Sequence, residues 1–268
     1  MKRLRKYLPF FRASLMQMFI YRGTVWLWLL VDVFQFFMMV YLWKSVYEFH
    51  NEINGFLFNE MLVYYLLTNV FMVFTQGEAL YAVSEEVREG RISLYLVKPI
   101  SYKIRLFWDT FGRAMGITTL LLPVAFLTGL VITFVFDIVW TISLLQIVAA
   151  LLYVPLIFTF MFEFSFLFGT LSIHTTNVFG ISIFIGVLTQ VMSGQLIPLA
   201  LYPPVLQNII LYTPFRFLSY PALILLGKVP MDQVWIGLIV LAGWVVLFEG
   251  ISSLVFRLSL KKIVVFGG

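Results

Sequence analysis

Glu85-Glu86-Val87-Arg88-Glu89-Gly90-Arg91-Ile92-Ser93-Leu94-Tyr95-Leu96-Val97-Lys98-Pro99-Ile100-Ser101 is a polar island in a chain that is otherwise mostly lipid-soluble. The 268 residues are 62% hydrophobic and 12% charged, with a mean hydropathy of +0.99, which is far outside the range of soluble domains. A charged run in such a chain marks a place where the backbone leaves the bilayer. The residues shown to water there are the best guide to what the protein contacts.

Working outward from the island, six apolar stretches are long enough to cross at about 20 residues each: 24–45, 59–77, 114–136, 139–168, 178–198 and 233–256. A further apolar region, 199–229, is interrupted by Pro203, Pro204, Pro214 and Pro221 and carries Arg216 in its middle. Proline removes a backbone donor and clashes with the preceding turn, so this region reads as two short helices that dip in from the outer face and return. Such a re-entrant hairpin is tolerated where protein covers its backbone. The expected fold is therefore an all-α integral membrane protein. It is a single transmembrane domain over 1–268, with six transmembrane helices, an N-terminal interfacial helix over 1–22 and the outer hairpin before the last span.

Charge sets the orientation. Of the 18 Lys and Arg residues, only Lys44, Arg216 and Lys228 fall on the outer side when the N-terminus is placed inside. The remainder lie in cytoplasmic segments, including Lys2, Arg3, Lys103, Arg105, Arg113, Arg257 and Lys262, as the positive-inside rule requires. Six spans then put both termini in the cytoplasm, with a bacterial inner membrane as the expected location. The basic excess reports topology and lipid contact, and no nucleic-acid partner is expected. The start Met1–Lys6 lacks a following small-residue cleavage site and is read as retained. Leu4, Leu8, Phe11, Leu15, Met18 and Phe19 recur at helical spacing, with Lys2, Arg5, Lys6, Arg12 and Gln17 largely opposite, which predicts an amphipathic helix on the inner surface.

Several chemistries are excluded by composition. The chain has no cysteine, which removes disulfides and thiolate sites. His50 and His174 are far apart and show no metal-ligand spacing. No phosphate-binding loop of the Gly-x-x-x-x-Gly-Lys-Ser/Thr kind occurs, since Gly227-Lys228 is followed by Val229. No catalytic residue, metal or cofactor is assigned to this chain.

The segment 84–113 begins with the charges Glu85, Glu86, Arg88, Glu89 and Arg91. It continues as Ile92, Leu94 and Leu96 alternating with other side chains, and stops at Lys98-Pro99. Gly90 can end a helical turn, and Pro99 forbids a helix through Lys98. A short charged helix, a bend and an amphipathic piece make an element suited to another protein's groove, with apolar contact area and charges that fix register. The order Glu89-Gly90-Arg91, Ile92, Leu94, Leu96, Lys98-Pro99, Ile100-Ser101 resembles the cytoplasmic loop between spans two and three of type-2 ABC transporter permeases. The N-terminal helix, the six spans and the broken outer segment resemble the same family, within its short stand-alone exporter branch. That resemblance implies a non-catalytic subunit that pairs with a second permease, identical or homologous. It also implies docking through 84–113 on a separate ABC ATPase subunit that carries ATP and Mg.

Charged groups inside spans are costly unless they face protein or water. Asp32 lies near the middle of the first span with Gln35 three residues on, and Glu163 lies in the fourth. Asp32, Gln35 and Glu163 are candidates for a translocation path or subunit contact, and an inter-helix hydrogen bond is the alternative for each. Glu78 and Glu249 sit near span ends; Asn69, Gln146, Thr189, Gln190 and Gln195 are of the kind that join helices. Small residues Gly180, Ser182, Gly186, Ser193 and Gly194 make the fifth span a candidate dimer seam. Tyr202, Pro203, Pro204, Pro214, Phe215 and Arg216 are the candidate outer gate that the resemblance implies, and an interfacial aromatic belt is the other reading. Two rival classes are kept: a proton-coupled secondary transporter working through Asp32 and Glu163, and a membrane-embedded enzyme, for which no motif is visible.

Overall fold

The structure is a computed structural model that describes residues 5–171 and 179–261. Lys2, Arg3 and Leu4 of the expected N-terminal helix, His174, and Lys262 lie outside the described residues. In chain order the helices are α1 (Leu8–Ile20), α2 (Arg22–Val46), α3 (Phe58–Met72), α4 (Glu78–Arg88), α5 (Ile92–Leu96), α6 (Tyr102–Phe136), α7 (Leu144–Leu171), α8 (Phe179–Ser193), α9 (Pro204–Leu211), α10 (Tyr220–Leu225) and α11 (Met231–Leu260). Five stretches are long and apolar enough to cross a membrane: Arg22–Phe49, Phe58–Arg88, Tyr102–Phe136, Leu144–Leu171 and Met231–Leu260. Where a fifth span was expected over 178–198, the described helix is α8, with 15 residues. At about 1.5 Å per residue it extends roughly 22 Å, short of a hydrocarbon core of about 30 Å.

The core is built around α7. Phe160, Met161 and Tyr153 on it are fully enclosed by α8, α11 and residues 214–219. The Tyr153 hydroxyl donates to the Val234 carbonyl at 2.7 Å, fixing α11 to α7. By contrast, α2 buries only Leu29, Phe36, Val40 and Trp43, a single stripe, and leaves Trp28, Leu30, Phe34 and Met38 exposed. A helix that is apolar on every face but buried on one belongs in lipid or against another membrane subunit.

Two features differ from the expected layout. Residues 102–113, read from sequence as the end of a cytoplasmic loop, are the first turns of α6, which runs unbroken for 35 residues. The reason is local: the Ser101 hydroxyl accepts from the Ile104 N–H as an N-cap. Tyr102, Arg105 and Leu106 then bury one face of the new helix. The second difference concerns α1, which packs along α6 in the same direction. The Ser101 N–H donates to the Tyr7 hydroxyl at 2.9 Å, the Ser14 hydroxyl donates to Asp109, and Phe11 meets Trp108 and Phe111. The seam is Gly112-x-x-x-Gly116: a Cβ on Gly112 would fall on the Phe11 carbonyl, and one on Gly116 would lie 2.8 Å from Met18. The packed stripe of α1 is thus Tyr7, Phe11, Ser14 and Met18, while Leu8 and Phe19 remain 39% exposed.

The end of the helices at the α2–α3 connection is capped by protein. A two-residue turn at Asn54-Gly55 joins strands β1 (Glu52–Ile53) and β2 (Phe56–Leu57). Lys228 donates to the Gly55 carbonyl and to Glu60, and Asn54 donates to the Ala200 carbonyl. Beneath it, the proline-broken region forms α9, a 3-10 turn Pro214–Ser219 and α10. Pro204 and Pro221 sit in first turns and Pro214 opens the 3-10 turn, the positions that do not need their missing donors.

Candidate functional site

Three groups of polar residues stand out on this frame. The first is the elbow α4–α5. Ala79, Leu80, Val83 and Glu86 form the inner face of α4, packed with Ile92 against Leu106, Phe162 and Phe256 from α6, α7 and α11. Gly90 makes the bend at φ +71°, a conformation that a residue with a Cβ adopts only under strain. The outer face presents Arg88, Glu89, Arg91, Leu94, Leu96, Val97, Lys98 and Pro99, all exposed. Arg91 closes the bend by pairing with Glu89 at 2.5 Å and Glu85 at 3.5 Å.

Glu86 belongs elsewhere. Although grouped from sequence with the docking charges, it is 6% exposed and is held by the Arg105 guanidinium with both carboxylate oxygens at 2.7 Å. Arg105 in turn lies 3.8 Å from the centre of the Tyr95 ring. Glu86 therefore pins the elbow to α6 and offers nothing to a partner. Lys6 adds a further tie by donating to the Pro99 carbonyl at 3.1 Å.

The second group is a latch at the start of α6. Lys103 reaches Glu163 at 2.6 Å, the hydroxyls of Ser252 and Ser253 at 2.9 Å each, and Glu249 at 3.5 Å. This joins the helix leaving the elbow to α7 and α11. Neither Lys103 nor the pairing was legible in the sequence, because the partners are separated by about 60 to 150 positions and no period relates them. Glu163 has the inter-helix role that was one of its two readings.

The third group is a cavity of about 70 Å³ at mid-length of the spans, lined by Asp32, Gln35, Thr68, Asn69, Gln190 and Gln195 among others. The fold thus gathers Asp32 and Gln35 with amides that the sequence had assigned only to helix joining. Asp32 has no hydrogen bond or ion pair among the described residues and is exposed on the single chain. Glu163 is not among the residues that line this cavity. Of the candidate gate, Pro214 and Phe215 are buried, with Phe215 against Phe160 and Phe164. Arg216 lies over the Phe217 ring, its Nε without a hydrogen-bond partner among the described residues. Tyr202 bonds the Val191 carbonyl, and Pro203 and Pro204 start α9.

The two intramembrane carboxylates should therefore respond differently to neutralisation. Glu163→Gln removes the nearer of the two carboxylate partners of the part-buried Lys103 and is expected to cost about 1.5–3 kcal/mol. Asp32→Asn removes an unpaired charge and should leave stability unchanged or raised. Thermal unfolding of the two purified variants beside the parent checks this; equal melting of all three would show that the latch contributes nothing.

Comparison with known proteins gives one result of weight. A family model described as ABC-2 family transporter protein matches residues 29–267. No curated protein matches the chain.

Proposed function

This chain belongs to the ABC-2 family of transporter proteins, and from that premise we propose that it is the membrane subunit of an ATP-driven exporter, powered by a separate ABC ATPase docked on the α4–α5 elbow. It is a multi-pass membrane permease. In the proposed arrangement α8 completes a sixth crossing, both termini face the cytoplasm of a bacterial cell, and α9–α10 form the re-entrant outer gate. The α1–α6 pair lies at the inner interface. A second permease, identical or homologous, covers the exposed faces of α2 and completes the path, and ATP and Mg are held by the ATPase.

The observation that carries this reading is the two-sidedness of the elbow. Its inner face is locked to α6, α7 and α11 through Glu86–Arg105 and the apolar cluster, while its outer face is free and carries mixed charge with Leu94, Leu96 and Val97 exposed. A rigid lever of this kind transmits the motion of whatever grips the outer face. The Lys103 latch passes the same motion to α7 and α11. Against the rival proton carrier stands the pairing of Glu163 with Lys103, which ties that carboxylate to α6.

Co-expression with the host's ABC ATPase encoded nearest the gene, followed by co-purification, tests the reading. The parent should retain the ATPase. Gly90→Pro, which cannot take a positive φ, should lower retention by about tenfold or more, and Glu89→Ala by less, as expected for a rim charge. Retention indifferent to both changes would move the docking site away from the elbow.

A further inference from the structure

We propose that the mid-membrane cavity at Asp32 binds the headgroup of a cationic, hydrogen-bond-donating amphiphile, a protonated primary amine being the simplest case. This deepens the transport reading above and rests on it for the meaning of the site.

The lining holds one carboxylate, Asp32, and otherwise only neutral groups, among them the Gln35, Asn69, Gln190 and Gln195 amides and the Tyr65 hydroxyl. Thr75 donates its hydroxyl proton to the Met72 carbonyl at 2.8 Å, so it accepts from the Gln195 amide N–H at 2.9 Å. That fixes the orientation of Gln195, whose side chain is 5% exposed and whose Oε1 has no partner among the described residues. Asn69 already donates to the Tyr65 carbonyl at 2.7 Å, and Thr68 donates back into its own helix. The Asp32 carboxylate, without a hydrogen bond or ion pair among the described residues, thus borders a space with no Lys, Arg or His on its walls, and the unpartnered Gln195 oxygen lies buried in one of those walls. An unpaired carboxylate at this depth costs several kcal/mol, and an unmet buried acceptor adds to it. A cation bearing N–H groups meets the carboxylate in both charge and hydrogen bonding; a quaternary ammonium meets only the charge, and an anion meets neither.

The amphiphilic part comes from the neighbouring groove. A second cavity of about 30 Å³ shares Asp32 and Asn69 with the first and is otherwise walled by apolar groups such as Val33, Leu66 and Leu121, from α2, α3 and α6. The polar cavity is large enough for more than a single water-sized group. A headgroup at Asp32 would therefore leave its chain lying between α2, α3 and α6.

The test uses the full chain in nanodiscs of a neutral phosphatidylcholine, with no ATPase and no nucleotide. The probes are n-octylammonium, n-octyltrimethylammonium and n-octyl sulfate, and the readout is saturable quenching of tryptophan fluorescence. Octylammonium should bind saturably. Asp32→Asn should weaken it by about tenfold or more, Gln195→Met by several-fold, and the trimethyl probe should bind the parent about tenfold more weakly. The sulfate should show no saturable component. Octyl sulfate or the trimethyl probe binding the parent as tightly as octylammonium would overturn the proposal. So would an affinity for octylammonium unchanged in both variants. The probe comparison on the parent stands even if a variant fails to fold. Because no ATPase is present, failure here leaves the coupling reading to its own co-purification test.

Discussion

Arg105→Ala is expected to detach the elbow from the membrane helices. Arg105 and Glu86 are 3% and 6% exposed and joined through both carboxylate oxygens, so removing the guanidinium leaves a buried carboxylate with no compensation. The cost of breaking such a pair is about 3–5 kcal/mol, which for a chain of this size lowers the melting temperature by about 6–10 °C. The Tyr95 ring also loses the cation stacked on it, so hydrogen exchange should rise across α4 and α5 before it rises in α7. ATPase retention should fall with it. The double change Glu86→Leu with Arg105→Met should recover most of the stability, since a buried ion pair replaced on both sides by apolar groups costs little. An Arg105→Ala protein that melts like the parent would remove the pair from the description of the lever.

The second large effect is expected at Gly112. Its Cα faces the backbone of Phe11, and even an alanine methyl would strike the Phe11 carbonyl, a group held in the helix and unable to swing aside. A Cβ on Gly116 would meet the Met18 Cβ 2.8 Å away, with the Leu15 carbonyl at 3.2 Å, so this contact too is with atoms fixed by the backbone of α1. Gly112→Leu should therefore push α1 off α6 at a cost of about 1–3 kcal/mol or more. It should also break the contacts of Tyr7 with Ser101 and of Ser14 with Asp109. Gly116→Ala should loosen the same seam, by less than Gly112→Leu. Limited trypsin digestion reads the difference directly, because Arg12 sits on α1 and becomes a site of rapid cleavage once that helix is released. Identical digestion of the parent and Gly112→Leu would mean that α1 is held by something other than the glycine seam.

Much of the architecture is legible along the chain. Apolar length alone marks the stretches Arg22–Phe49, Leu144–Leu171 and Met231–Leu260, because a helix closes its own backbone hydrogen bonds within the segment, as lipid requires. The charged run at 85–91 had to leave that environment. Gly90 and Pro99 set the limits of the two short helices beside it, and the prolines at 203, 204, 214 and 221 fell at the starts of short elements. Two further local signals lie in the chain: Asn54-Gly55, which makes the β1–β2 hairpin, and Gly112-x-x-x-Gly116, which seats α1.

What the chain order could not show is which charge goes with which. Glu85, Glu86 and Glu89 are alike as letters, yet Glu86 alone is enclosed by Arg105, because it falls on the face of α4 that meets α6. Glu163 and Asp32 are both carboxylates inside apolar helices; one is paired by a lysine some 60 positions earlier in the chain, and the other is left facing a cavity. Hydropathy, period and chain breakers are properties of neighbours in sequence, and they were enough to place the protein in a membrane and find its elbow. Pairing, burial and the polar cavity at Asp32 depend on distances of about 3 Å between residues far apart in the chain, and only the packing of the helices sets those.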